Sequence, residues 1–398
     1  MTRAHRGLSV DFRVSVFARC KVRSESAAFK SEVSQGLKCL DLSELHISES
    51  SFATMGFWFL LMLIIIVSTS YQGAFSCPQR CTCHFSSKTT EVVCPDAALT
   101  HFPSESLPGN TTSLTIQYTN LKNITTDELR ATPLLQELHL PGNGLSSLPA
   151  EMLKGLPHLQ TIDLTGNQLR DLPPQVFYHA PLLNLVLKDN LLTSASADWL
   201  PSNSKLSWLD LSGNRLIKAP FALLHNLGRL ETLHLSQNFL EELPADSFES
   251  LPALERLHLD KNKLQALDAK AFSCNTNLTH LFLQKNKLKS LPATVFHGLD
   301  RLQYLDLSEN RLQFMAPGTL GLGISWVELN LNPWHCDSKM EYLWKRLNNK
   351  SVQSEPTCAT PEMLKDRAIA TLTRKELGLE DLKEERMEDD DMMAVTKE

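Results

Sequence analysis

Residues 254–264 read LERLHLDKNKL, with leucine at 254, 257, 259 and 264 and asparagine at 262. The same figure, LxxLxLxxNxL, begins at Leu135, Leu159, Leu182, Leu206, Leu230, Leu254, Leu278 and Leu302. A degenerate first copy holds Leu114, Ile116 and Leu121, and a last copy runs from Ile324 through Val327 and Leu329 to Asn332. The asparagines fall at 143, 167, 190, 214, 238, 262, 286, 310 and 332, a spacing of 24 broken once by 23 and at the end by 22. Within LxL the side chains alternate, so a short strand turns its leucines inward and its intervening residues outward. One such unit cannot cover its own apolar face, and stacked copies can.

This is the period and pattern of a leucine-rich repeat. The fold class expected is α/β: a curved solenoid with a parallel concave β-sheet, an irregular convex side and disulfide-bonded caps. Asn143, Asn167, Asn190, Asn214, Asn238, Asn262, Asn286, Asn310 and Asn332 mark where the chain leaves the strand and its backbone groups lose their ladder partners. A buried amide there offers both donors and acceptors, which predicts a structural asparagine ladder. Five residues past a later leucine stand Leu153, Phe177, Leu200, Leu224, Phe248, Phe272, Phe296 and Leu320, an expected apolar spine under the convex side.

Composition agrees with a large buried core: 42% of the 398 residues are hydrophobic. The formal charge is −6, and residues 375–398 alone hold ten acidic and four basic side chains, so the remainder is close to neutral. No contiguous Lys/Arg block appears, which argues against nucleic acid as a partner. Of nine cysteines, Cys77, Cys81, Cys83 and Cys94 cluster before the repeats and Cys336 and Cys358 follow them, while Cys20, Cys39 and Cys274 stand apart. Clusters at both ends of a repetitive segment suggest disulfides formed in an oxidising compartment, and zinc is the weaker alternative. Cys274 is expected to be a buried free thiol, with an intermolecular disulfide as the alternative.

MGFWFLLMLIIIV (55–67) is too short for a transmembrane helix, which needs about twenty residues, and suits the apolar centre of a signal peptide. The expected plan is an N-terminal extension, spurious or disordered, over 1–54; a signal peptide over 55–76; an N-terminal cap over 77–110; repeats over 111–331; a C-terminal cap over 332–374; and an acidic disordered tail over 375–398. A secreted chain exposes the sequons at Asn110, Asn123, Asn277 and Asn349 to glycosylation.

CPQRCTC…C (77–94), LPGNTTSLTI (107–116), the 24-residue repeats and NPWHC…C (332–358) resemble the extracellular leucine-rich-repeat proteins with cysteine-rich flanks. The resemblance implies pairs Cys77–Cys83, Cys81–Cys94 and Cys336–Cys358. Many relatives carry CxC and four cysteines in the C-terminal cap; here Asp337 follows Cys336 and one later cysteine remains. WLDLSGNRL (208–216), LERLHLDKNKLQAL (254–267), LFLQKNKL (281–288), NPWHCD (332–337) and TCATPEMLKD (357–366) are similar to a secreted plasma glycoprotein of that family. That likeness implies no enzymatic activity and no cofactor. It implies a monomer that binds extracellular proteins, with cytochrome c or components of transforming-growth-factor-beta signalling such as endoglin as candidates.

The concave face should display the outward positions of each strand. Among them Trp208, His234, Arg256, His258, His280, Phe282 and Tyr304 should form one patch, because neighbouring strands lie about 4.8 Å apart. Aromatic and Arg side chains are the usual anchors of protein interfaces. The same histidines with Asp260 could instead be read as a metal site, a pH-dependent interface or a solvated face; no metal is expected. GxSxG, HExxH, P-loop and dinucleotide motifs are missing from the sequence, so catalysis is not expected. The alternative function is a structural or scavenging matrix protein without a signalling role.

Overall fold

The computed structural model describes residues 77–321, 323–349 and 354–379. The expected extension and leader (1–76), and residues 380–398 of the acidic tail, lie outside them. All described residues fall in the second of the two units into which the chain divides, Thr69–Glu398.

A hairpin, β1 (Thr82–Phe85) and β2 (Thr90–Cys94), opens the domain. Every later strand of the main sheet runs parallel to its predecessor: β3 (Ser113–Ile116), β4 (Glu137–His139), β5 (Thr161–Asp163), β6 (Asn184–Val186), β7 (Trp208–Asp210) and β8 (Thr232–His234). After a short outer strand, β9 (Glu242–Leu243), comes β10 (Arg256–His258). A second outer strand, β11 (Ala266–Leu267), pairs with β9, and β12 (His280–Phe282), β13 (Tyr304–Asp306) and β14 (Trp326–Glu328) complete a twelve-stranded sheet. From β4 onward each strand of the main sheet is three residues long with its middle residue buried. The flanking residues of each strand stand in register with their counterparts one repeat away.

The nine asparagines are buried and complete the turns. Asn262 is representative: Nδ2 donates to the carbonyls of Leu235, Leu259 and Asp260 at 2.9, 3.0 and 3.3 Å, and Oδ1 accepts from the Leu240 amide at 3.1 Å. Leu235 and Leu240 belong to the preceding repeat, so each asparagine closes the turn before its own. The residue before each asparagine has positive φ. Glycine fills it at 142, 166 and 213, while Asp189, Gln237, Lys261, Lys285, Glu309 and Leu331 adopt the same left-handed conformation. At Gly213 a Cβ would meet the Asp189 carboxylate, so a larger residue there would have to push that side chain aside.

The spine residues are all buried, and the rings of Phe248, Phe272 and Phe296 follow one another at 6.1 and 6.3 Å. On the sheet's outward face the equivalent interval is 4.0 Å between His234 and His258 and 4.1 Å between His258 and Phe282. Equivalent side chains converge over the sheet and diverge over the spine, so the sheet is the concave side. The convex side is turns with two short helices, α1 (Thr126–Leu129) and α2 (Phe221–Leu224). A second buried amide supports it: Asn275 donates to the carbonyls of Phe248 and Leu251 at 2.9 and 3.0 Å.

Disulfides join Cys77 to Cys83, Cys81 to Cys94 and Cys336 to Cys358. At the C-terminal end β15 (Trp334–His335) pairs with β16 (Cys358–Thr360), and α3 (Glu341–Asn348) turns Leu343 and Leu347 into the core. Trp334 is fully buried, and its Nε1 donates to Leu329 O at 3.1 Å, where an asparagine of a following repeat would otherwise donate. The Ser354 hydroxyl accepts from the Leu329 amide at 3.0 Å. The cap does not stop at 374, as the sequence suggests: Leu377 is buried and Glu376 pairs with Arg367. The Arg367 guanidinium and Thr373 hold the Glu376 carboxyl down at about 2. Among the described residues no helix is long and apolar enough to cross a membrane.

Candidate functional site

The seven patch residues lie on five consecutive strands of the concave sheet, β7, β8, β10, β12 and β13. Register places Trp208, Thr232, Arg256, His280 and Tyr304 in one row and Asp210, His234, His258, Phe282 and Asp306 in the next. The rings form a continuous series: Trp208 to His234 at 4.9 Å, His234 to His258 at 4.0 Å, His258 to Phe282 at 4.1 Å and Phe282 to Tyr304 at 5.2 Å. His280 joins at 6.0 Å from Tyr304. The inner three rings are stacked within 14° of parallel. Such a series is rigid, because each ring fills the space into which its neighbour would rotate.

Sequence reading stopped one strand too early. Trp326 on β14 pairs with Tyr304 in register and is 43% exposed. Its Nε1 donates to Glu328 Oε1 at 2.6 Å, which holds the indole in place. The signal was available as the third position of the degenerate copy beginning at Ile324. With Trp208 at one end, the patch is bounded by two exposed indoles.

Stacking has an electrostatic consequence. Burial, with contributions from His234, Arg256 and His280, pushes the His258 imidazole down to about 3. Burial also lowers His234 although Asp210 and Asp260 favour its charged form, and burial and Arg256 lower His280. The Nε2 of His234 is buried and has no hydrogen-bond partner within the described residues. Carboxylates at the margins are fixed by their own turns: Asp210 Oδ1 accepts from the Ser212 amide at 2.8 Å and Asp306 Oδ1 from the Ser308 amide at 3.0 Å. Among the described residues no group of three His, Cys, Asp or Glu side chains is placed to hold a metal ion.

The remaining sequence-predicted sites are dispersed. Asn110, Asn123 and Asn349 are exposed. Asn277 is held: its Nδ2 donates to Pro252 O at 2.9 Å and its Oδ1 accepts from Arg301 Nη1 at 2.9 Å, so a glycan there would share the nitrogen that makes the first bond. Cys274 is exposed, not buried as the sequence suggests. The neighbouring Asn275 takes the inward position, which turns the thiol to solvent. A groove of about 590 Å³ lies away from the patch, between the last repeats and the cap, lined in part by Leu291, Phe314, Met315 and Tyr342.

The profile of the leucine rich repeat family matches residues 109–169, 133–185, 157–216, 228–288 and 276–331, together more than half of the chain. The chain belongs to the leucine-rich-repeat family. Among solved structures this leucine-rich-repeat chain is similar to one from the octameric complex of Latrophilin 3, Unc5D and FLRT2, whose FLRT2 part is a leucine-rich-repeat region. The identity is 23% and the TM-score 0.59, over 76% of this chain and 100% of that one. It is also similar to a chain of the Drosophila Toll–Spatzle complex in glycosylated form, at 22% identity and TM-score 0.51, over 67% of this chain and 45% of that one. A second structure of that complex gives 21% and 0.52, over 71% and 47%. The chain thus spans less than half the length of those chains. At these identities the likeness establishes the fold. No curated protein matches the chain.

Proposed function

We propose that this leucine-rich-repeat chain is a secreted extracellular protein that binds a partner protein on its concave sheet and catalyses nothing. The observation that carries this reading is the continuous ring series from Trp208 to Tyr304, extended by Trp326, with Arg256 in the adjoining row. Large rigid side chains lose little entropy on binding, and Trp, Tyr and Arg dominate measured interface energies. The disulfides support an oxidising, extracellular setting. The similar solved chains come from complexes of Latrophilin 3 with Unc5D and FLRT2 and of Toll with Spatzle, which is consistent with recognition of protein by protein.

Which protein is bound rests on the sequence likeness to leucine-rich alpha-2-glycoprotein, carried by WLDLSGNRL, LERLHLDKNKLQAL and NPWHCD. That likeness favours components of transforming-growth-factor-beta signalling, endoglin among them, and cytochrome c. The test is the secreted full chain against the variant Trp208→Ala/Arg256→Ala/Phe282→Ala, with endoglin and cytochrome c as separate probes. Loss of three anchors at about 1–2 kcal/mol each should weaken binding by a hundredfold or more. Unchanged affinity with secretion intact would overturn the concave-face reading. Failure of both probes to bind the unaltered chain would overturn the partner assignment.

A further inference from the structure

The residue after each asparagine sits at the edge of the solenoid, where the chain turns from the sheet to the convex side. In five consecutive repeats it is Arg215, Phe239, Lys263, Lys287 and Arg311. The backbone amide of each donates to a leucine carbonyl of the preceding repeat at 2.8–2.9 Å, Lys263 to Leu240, Lys287 to Leu264 and Arg311 to Leu288 among them. The edge is therefore hydrogen-bonded from turn to turn, and these side chains stand beside one another. Two positions earlier, Lys261 and Lys285 occupy the left-handed turn position at φ 54° and 59°, tied to Gln284 O and Ser308 O. Lys289 follows two residues after Lys287 and is exposed.

Three successive repeats thus place six cations on one edge: Lys261, Lys263, Lys285, Lys287, Lys289 and Arg311. One carboxylate, Glu309, accompanies them and pairs with Lys285 at 3.2 Å. Among the described residues the other five cations make no ion pair. The chain outside its acidic tail is close to neutral, so this edge is a local excess created by folding. In sequence the same residues lie in three separate groups, and no Lys/Arg block is visible.

We propose that this edge is a second binding surface, for a linear sulfated polysaccharide of the glycosaminoglycan class. The cations recur at about the strand spacing of 4.8 Å along one direction, which suits a chain carrying anions at short regular intervals. A protein partner would need an apolar centre, and the edge offers one aromatic ring, Phe239, which is 42% exposed with Lys263 Nζ at 4.4 Å from it. A single ring also offers no series on which successive nucleic-acid bases could stack. The polysaccharide occurs outside cells, so the assignment shares the extracellular setting of the reading above. The concave patch does not take part, and the two surfaces fail or succeed separately.

The experiment is salt elution of the full secreted chain from immobilised heparin. The unaltered chain should be retained at about 0.15 M salt, and Lys263→Gln/Lys287→Gln/Arg311→Gln should not. Each lost contact removes roughly one unit from the slope of log affinity against log salt, so the slope should fall by about two to three. Lys261→Gln/Lys289→Gln, at two exposed positions, should weaken retention with the thermal midpoint unchanged. Lys122→Gln/Lys154→Gln/Lys205→Gln, elsewhere on the surface, should elute with the unaltered chain. The proposal is overturned if the edge variants elute unchanged or if the distant triple loses as much. Equal retention on desulfated heparin, or on a single-stranded oligonucleotide of similar charge, would also overturn it. Binding of the concave-face partner should be intact in both edge variants.

Discussion

His258 lies between the rings of His234 and Phe282, and the contact that makes it part of a rigid surface also sets its proton affinity. Its folded value of about 3 is below the ordinary imidazole value of 6.5. The unfolded chain therefore takes up the proton first as pH falls. His258 contributes its full stability above about 6.5 and loses it as pH falls towards 3. The variant His258→Phe keeps a flat ring in the series and removes the titration. Its thermal midpoint should fall less than that of the unaltered chain between pH 7 and pH 4; parallel curves would show that the buried imidazole is not the acid-sensitive group. Binding on the concave face is expected not to depend on His258 protonation between pH 5 and 8.

At the scale of elements, a three-residue strand is stable only because both neighbours are present, and the caps supply the neighbours at the ends. Cys336 and Cys358 are separated by 22 residues and fasten β15 to β16 over the last repeat. Replacing both with Ser should lower unfolding free energy by about 3 kcal/mol, chiefly by freeing the unfolded chain, as read from denaturant midpoints at equal m-values. A loss under about 1 kcal/mol would mean that Trp334 and α3 hold the cap without the bond. This scale is also where the sequence was most legible. Leu254, Leu257, Leu259, Asn262 and Leu264 each answer to one geometric need, so their columns predict strand, core and turn together. What escaped was of three kinds. Trp326 and the extent of the cap to Leu377 fall where the template degenerates and the period no longer guides the eye. Lys263, Lys287 and Arg311 lie 24 positions apart, and only stacking makes them neighbours. The exposure of Cys274 escaped for a third reason: in the outer half of a repeat one residue must turn inward, and Asn275 does so through two backbone carbonyls that the sequence does not reveal.

On the scale of the whole molecule, a solenoid with a fixed period can lose one period and keep its register. Removing residues 254–277 joins Ala253 to Leu278, and each column continues without a step. The shortened chain should be secreted and should melt cooperatively, a little below the unaltered chain, since one nearest-neighbour contact is lost. It should bind the concave-face partner poorly, because His258 and Arg256 are gone and His234 would meet Phe282. Removing half that length should abolish secretion; equal secretion of both would contradict an architecture built from whole repeats. The asparagine bonds add a direction to this plan. Each amide reaches back to finish the turn before its own, so a turn has its full set of hydrogen bonds only with its successor stacked beside it. The turns are thus interlocked in one sense, each finished by the asparagine that follows it, and only the last lacks such a successor. Trp334 ends the series by donating to Leu329 O in place of an asparagine that never comes, and Ser354 accepts from the Leu329 amide where the carbonyl of a further strand would.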